Sequence, residues 1–382
     1  MAELRVLHCP TMVAGNPQQL ARAERNLGLQ SWSVAFRESP FAYKTDEILF
    51  AKGDGKLRCE FKRWNLLRRA MCDFDIVHFN FGQSIMPQWV SGVTGRDRGL
   101  VARTIMRGYT GLVEMSDVAL LRYWGKGVFV TYQGDDARQG DYCKQNYEIN
   151  FVDEVQQGYY SEKTDRKKRQ RIRLFARYCH GSFAVNPDLM NVLPDDTTFM
   201  PYCHIDLAEW SVVEKEASKR LTVLHAPSHR GVKGTRYIVE AVSRLKQEGL
   251  DFEFIMVENM TNAEAKKIYE KADILIDQLL AGWYGGLAVE LMAMGKPVIC
   301  YLRETDLKFL NPEMRRELPI INATPETVIQ VLRDCLTDRR NELAMLGTRS
   351  RSYVERWHDP RKIAAQMKQE YERATRKSAK VE

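Results

Sequence analysis

Residues 277–302 read DQLLAGWYGGLAVELMAMGKPVICYL. A glycine-rich loop runs into a short apolar helix whose one acid is Glu290, and Gly295 and Pro297 then end that helix before a run of buried-strand type, 297–302. Gly285 and Gly286 strip side chains from the point where the loop becomes a helix. A ligand can therefore approach backbone N–H groups there, and a helix N-terminus favours phosphate. Glu290 follows Gly286 by four positions, on the face shared with the loop. A carboxylate so placed can accept hydrogen bonds from paired hydroxyls such as those of a ribose. The competing reading is a packing turn with Glu290 exposed on its helix.

Outward from this stretch, short apolar runs alternate with helical patterns. Strand-like runs occupy 5–9, 31–36, 75–81, 127–133 and 181–186, and a second series occupies 221–227, 252–257, 272–278 and 297–302. Between them lie stretches such as 235–249, where Ile238, Val239, Val242 and Leu245 fall at helical spacing and Gly249 is the stop. Strands alternating with helices predict parallel sheets covered on both faces. The pattern breaks in the polar segment 204–220. The expected organisation is two doubly wound α/β domains, 1–207 and 208–350, facing across a cleft. Residues 351–382 add helices that pack back toward the first domain through Ile363, Ala364, Met367 and Tyr371, with a break at Pro360. In such sheets ligands bind beyond the carboxyl ends of the strands, so the loops after the strands hold the chemistry.

Composition narrows the class. The 382 residues, 44% hydrophobic and 28% charged, suit a globular protein of about two domains. No apolar stretch reaches the ~18 residues a membrane span needs. The N-terminal MAELRVLHCP enters a strand without the pattern of a signal peptide. Eight scattered cysteines without a CxxC read as free thiols in a reducing compartment, so the expected location is the cytoplasm. The sequence YCH occurs twice, ending at His180 and His204, but without the spacing of a zinc site. Segment 163–177 holds eight Lys/Arg and one Asp, which equals the net charge of +7. It reads either as a solvated helix face or as a peripheral contact with an anionic membrane or acceptor. No aromatic interleaving or reader motif points to nucleic acid.

The stretch HAPSHRGVKGTRYIVEA, 225–241, follows the first strand of the second series, and its Arg230 and Lys233 can reach an anion at the next helix start. Taken together, KGTRYIVEAV, YEKADILIDQ and YGGLAVELMAMGKPVI resemble the nucleotide-binding half of the GT-B retaining glycosyltransferases of the family-four type. The resemblance implies the GT-B fold, with Tyr284, Gly285, Gly286 and Leu287 on the donor side and Glu290 on the ribose hydroxyls. It puts Lys233 on the diphosphate, with Arg230 or the nearby Ser228 as its partner. The family's first glutamate falls at Gly282, and the nearest acid is Asp277. The resemblance is looser in the first half. There Gly15 lies in a loop facing donor or acceptor. Gln133 stands where many members have histidine, and Asp136 matches their aspartate. A neutral amide binds hydroxyls but does no acid–base work. His78 and Asn80 are acceptor-side candidates, His78 reading more readily as a structural histidine. The activity implied is retaining transfer of a sugar from a nucleotide-diphosphate donor, UDP or GDP, to a glycan, lipid-linked or small acceptor. Lysine and helix end would replace a divalent metal, so no metal or cofactor is expected. The alternatives are another GT-B enzyme such as a sugar-nucleotide epimerase, or a non-catalytic sugar-nucleotide-binding protein.

Overall fold

A computed structural model describes residues 3–39, 41–87, 108–212 and 220–378. Seven strands form the first sheet: β1 (Arg5–Cys9), β2 (Gln30–Ala35), β3 (Glu47–Ile48), β4 (Ile76–Asn80), β5 (Gly127–Tyr132), β6 (Gly181–Ala184) and β7 (Thr198–Phe199). Their order is β3-β2-β1-β4-β5-β6-β7, and every pairing is parallel. The second sheet contains β8 (Leu221–His225), β9 (Phe252–Met256), β10 (Ile274–Ile276), β11 (Val298–Cys300) and β12 (Ile321–Asn322), in the order β12-β11-β10-β8-β9, also parallel. All nine strand-like runs of the sequence are strands. The three that pattern reading omits, β3, β7 and β12, are two-residue edge strands, too short to show an alternation.

The topology positions the site. Strand order reverses between β1 and β4 in the first sheet and between β8 and β10 in the second. At such a switch point, successive crossovers leave in opposite directions and open a crevice at the carboxyl ends. The loops at these crevices are 10–15 and 81–83 on one side, and 226–233 and 277–285 on the other. They face each other: a Cβ added to Gly286 would lie 3.8 Å from the Ala14 side chain.

The helix Pro360–Ser378 ties the chain's end to its beginning. Its Ile363, Ala364, Met367 and Tyr371 are buried against Val6, Leu20, Ile76, Phe129 and Phe183 of the first sheet and its covering helix. Pro360 opens this helix, where its missing N–H costs nothing. Of the break at 204–220, residues 213–219 lie outside the described residues.

Three buried histidines serve as neutral links within this core. His78 bonds Tyr371 Oη and Thr131 Oγ1, both at 2.7 Å. His225 bonds the Ile276 carbonyl at 2.8 Å and Thr235 Oγ1 at 2.9 Å. His358 bonds the Tyr202 carbonyl at 2.7 Å and Tyr284 Oη at 2.9 Å. Burial holds His78 well below its ordinary value, His225 down to about 4 and His358 down to about 3. Each stays neutral when folded, but its unfolded counterpart takes up a proton near pH ~6.5. The unfolded chain therefore binds more protons as pH falls from ~6.5 towards 4, and the stability each histidine contributes is lost over that window. Asp117 and Asp136, raised by burial to about 6 and about 7, act in the opposite sense, so the test compares a variant with its parent. The stability gap between the parent and His225→Gln in urea denaturation should shrink by up to ~1.4 kcal/mol per pH unit between pH 6 and 4.5. A gap independent of pH would contradict a neutral buried His225.

Candidate functional site

Lys233 ends the helical turn Arg230–Lys233 after β8, and Asp277 follows β10. Adjacent strands bring them together: Lys233 Nζ donates to Asp277 Oδ1 at 2.8 Å, with the carboxylate fully buried and the lysine side chain 12% exposed. The other oxygen, Asp277 Oδ2, accepts from the Gly285 N–H at 2.6 Å. The Lys233 ammonium would lie 2.9 Å from a Cβ on Gly285, so that glycine is needed for the lysine to pass. The loop thus differs in detail from the expectation. The Gly285 N–H is already taken by Asp277, and the N–H groups of Gly286 and the following residues are those that open the helix Gly286–Ala293.

Glu290 lies one turn into that helix and is 4% exposed. This settles against the reading in which it stands on the surface by chance. Its Oε1 accepts from Asn262 Nδ2 at 3.0 Å. Its charge is felt by Tyr43 and Tyr269, whose phenols are raised first by burial and next by this carboxylate. His204 Nε2 stands 3.5 Å from Oε1, longer than a hydrogen bond. Gly15, Tyr43, His204, Asn262 and Glu290 line a cleft of about 370 Å³ between the two sheets. Gly15 has φ +73°, and a Cβ there would meet the Tyr43 ring at 3.0 Å. The Asn262 N–H donates to the Phe41 carbonyl at 3.2 Å across the cleft.

Other sequence-derived candidates fall elsewhere. Arg230 is exposed and paired with Glu258 through an Nε–Oε1 bond of 2.8 Å, and Ser228 is exposed; neither reaches the Lys233 ammonium. Tyr284 is fully buried, bonded to Tyr353 and His358, and points into the core under the helix Leu343–Trp357. Leu287 is half-buried on the same helix as Glu290. His78 is a core link, as described above, and Asn80 donates to the His78 carbonyl at 3.1 Å, so neither enters the cleft. Gln133 does lie by the first crevice, where its Oε1 accepts from Asn16 Nδ2 at 3.1 Å. Asp136 turns back to accept from the Gln133 and Gly134 N–H groups, and burial pushes its carboxyl up to about 7. Its neighbour Asp135 instead accepts from Tyr159 Oη and Tyr160 Oη, so the two acids of the GDD sequence do not converge.

Gly282 has φ +80°, and a Cβ there would come within 2.6 Å of the Arg303 guanidinium. Arg303 fills that space, stacked 3.5 Å from the Tyr147 ring centre and paired with Asp306 at 2.9 Å. In the basic helix Glu162–Tyr178, Arg169 pairs with Asp141, Arg171 with Glu114, and Lys168 donates to the Arg138 carbonyl. These charges are spent within the fold, and Arg166, Arg173 and Arg177 stay exposed. Asp277, Asn262, Tyr43 and His204 were missed as site residues. Asp277 and Asn262 carry a readable signal, since each follows a parallel strand near its carboxyl end. Tyr43 and His204 reach the cleft from loops that no local pattern marks.

No family model matches the chain and no curated sequence does. Solved structures do match. Sucrose-phosphate synthase from Thermosynechococcus elongatus superposes with a TM-score of 0.58 at 14% identity, over 97% of this chain and 99% of the other. Anabaena HepE in complex with UDP-glucose gives 0.57 at 11% identity, over 96% and 99%. A glycosyltransferase from Rickettsia africae gives 0.57 at 11% identity, over 98% and 99%. With its two parallel sheets facing at their switch points, the chain has the GT-B fold of these proteins.

Proposed function

We propose that the chain is a glycosyltransferase that moves a sugar, with retention, from a nucleoside diphosphate sugar to an acceptor. The observation that carries this is the line of groups from Lys233 through the N-terminus of the helix Gly286–Ala293 to the buried Glu290. A diphosphate on the first two and a ribose on the third fit that spacing chemically, and UDP-glucose is bound by HepE, one of the similar structures. The bond between the sugar's anomeric carbon and the β-phosphate oxygen breaks. The charge that develops on the leaving diphosphate meets the ammonium and the helix end. The acceptor hydroxyl attacks on the face the diphosphate leaves, and its proton passes to a leaving phosphate oxygen. This route asks for no protein base, which suits a cleft where Gln133 is an amide and Asp136 is turned to backbone N–H groups.

The acceptor is best accommodated by a neighbouring pocket of about 650 Å³ beyond the carboxyl ends of β1 and β2, walled by Met12, Phe36, Phe41 and Phe50 with Arg63 stacked 4.2 Å over Phe36. Its walls favour an acceptor with an apolar or aromatic part. The exposed Arg166, Arg173 and Arg177 are the arginines of the basic helix left for a peripheral anionic contact.

Glu290→Ala should fold and weaken nucleotide binding roughly ten- to a hundredfold, as expected for a carboxylate that loses hydrogen bonds worth ~1.5–3 kcal/mol. In calorimetry the parent should prefer a ribonucleotide over its 2′-deoxy counterpart, and Glu290→Ala should nearly erase that preference. A folded Glu290→Ala with the parent's full preference would remove Glu290 from the donor site. Transfer activity should persist in EDTA, because lysine and helix end meet the phosphate charge. Complete loss restored by magnesium would overturn that account. A chain that binds donor but neither transfers nor hydrolyses it would instead be a sugar-nucleotide-binding protein.

A further inference from the structure

His204 is the residue of the second YCH sequence, and its ring differs from every other imidazole in the chain. Its side chain is 2% exposed, yet neither ring nitrogen has a hydrogen-bond partner among the described residues. Each of the other six histidines has at least one ring nitrogen bonded. An imidazole stripped of water and given no hydrogen-bond partner is rare in a folded protein and marks a place suited to bonding a ligand.

Its position says which group. A Cβ on Gly286 would lie 3.3 Å from His204 Cε1 and 3.4 Å from Nε2, while Nε2 stands 3.5 Å from Glu290 Oε1. The edge of the ring therefore fills the interval between the helix N-terminus and the carboxylate, and Gly286 is glycine partly to admit it. The segment carrying the ring is pinned on both sides. The Cys203 N–H donates to Asn16 Oδ1 at 3.0 Å, and the Tyr202 carbonyl bonds His358 Nδ1 at 2.7 Å. The imidazole is thus held before any ligand arrives, which cuts the ordering cost of binding.

We propose that His204 is a donor-binding residue that hydrogen-bonds, through Nε2, the phosphate group nearest the ribose. The assignment rests on the donor-site reading above, in which Glu290 takes the ribose and the helix end takes the phosphates. It adds a contact from the segment between the two sheets, so that the donor is gripped at its ribose–phosphate junction as well as at its two ends.

Calorimetry with a nucleoside, its monophosphate and its diphosphate, in the uridine and guanosine series, tests this on the full chain. His204→Phe should lose about tenfold in affinity for the mono- and diphosphate, the loss of one hydrogen bond to a charged group, and leave the nucleoside unchanged. His204→Gln, which keeps an N–H donor, should recover part of the loss. In the parent, the Cε1–H resonance of His204, assigned by its absence in His204→Gln, should shift on adding the monophosphate and stay in place on adding the nucleoside. This readout requires only that His204→Gln fold and does not depend on His204→Phe. A resonance that ignores the phosphate, or a folded His204→Phe that binds the diphosphate as the parent does, overturns the assignment. If Glu290→Ala still loses the ribose preference in that case, the donor site stands without His204. If the parent binds no nucleotide in either series, the donor reading fails and His204 with it.

Discussion

Asp277 joins three pieces of chain with one carboxylate and one amide. It accepts from Lys233 Nζ at 2.8 Å and from the Gly285 N–H at 2.6 Å, and its own N–H donates to the Ile299 carbonyl at 2.9 Å. The loop after β8, the glycine loop and the central strands of the second sheet are thereby fixed relative to each other. Removing one partner of a buried pair typically costs ~3–5 kcal/mol because the other charge is stranded. In the proposed donor site the same pair would define where the anion lies. Without Asp277, Lys233 would have no fixed direction, and the glycine loop would have no reason to present the start of the helix Gly286–Ala293 to the cleft. A lysine already paired to a carboxylate is also partly neutralised, so phosphate binding cannot rest on it alone. In the proposed donor site the helix end would carry the rest, which makes Gly286 as consequential there as Lys233.

The facing sheet is held against this frame by polar contacts of modest individual strength. Asn262 meets the Phe41 carbonyl and Asn191 donates to Asp306 at 2.8 Å. Arg303 donates to the Ile149 carbonyl at 3.1 Å, and Arg236 pairs with Glu154. The helix Pro360–Ser378 adds an apolar seam, so that the last helix of the chain is part of the first sheet's core. Apolar anchors accompany the polar contacts, since Phe151 packs with Leu280 and Ala281 and Phe199 meets the Trp283 ring edge-on, so the two sheets are joined by both kinds of interaction.

The fold was legible because parallel strands buried on both faces are written as continuous apolar runs, and β1, β4, β5, β8 and β10 show them plainly. The site was legible only where function and local pattern coincide. Lys233 closes a turn after a strand, Gly286 opens a helix and Glu290 lies one turn into it, so local pattern together with the family resemblance marks them as candidates. Tyr284 and His78 have the right chemistry and the right neighbourhood in sequence, yet the strand or loop bearing each turns its side chain to the core, where Tyr353, His358, Thr131 and Tyr371 satisfy it. Arg230 has the right charge, but one turn of helix carries it to Glu258 on the exterior. His204 and Tyr43 depend on how loops of one sheet lie over the other, a relation with no signature in either local sequence.

Gly282 shows how a departure from a pattern is accommodated physically. A glutamate there would need φ near +80° and the space now held by Arg303. The exchange is therefore a coupled one: the acid is gone, and a cation occupies its place. That cation is not free to face a sugar as a bare charge, since Asp306 pairs with it, Tyr147 stacks on it and the Ile149 carbonyl accepts from it. Its effect on the cleft is to close the side where the resembled family reads the donor sugar with a carboxylate, and to do so with contacts that cross between the two sheets. In the proposed transferase the sugar would be read from the opposite wall, where Gln133 Nε2 is buried without a partner among the described residues while its Oε1 is held by Asn16. An amide fixed at one end and unsatisfied at the other is suited to donate to a hydroxyl, and in the proposed reaction it would place the discriminating contact on the first sheet rather than on the second.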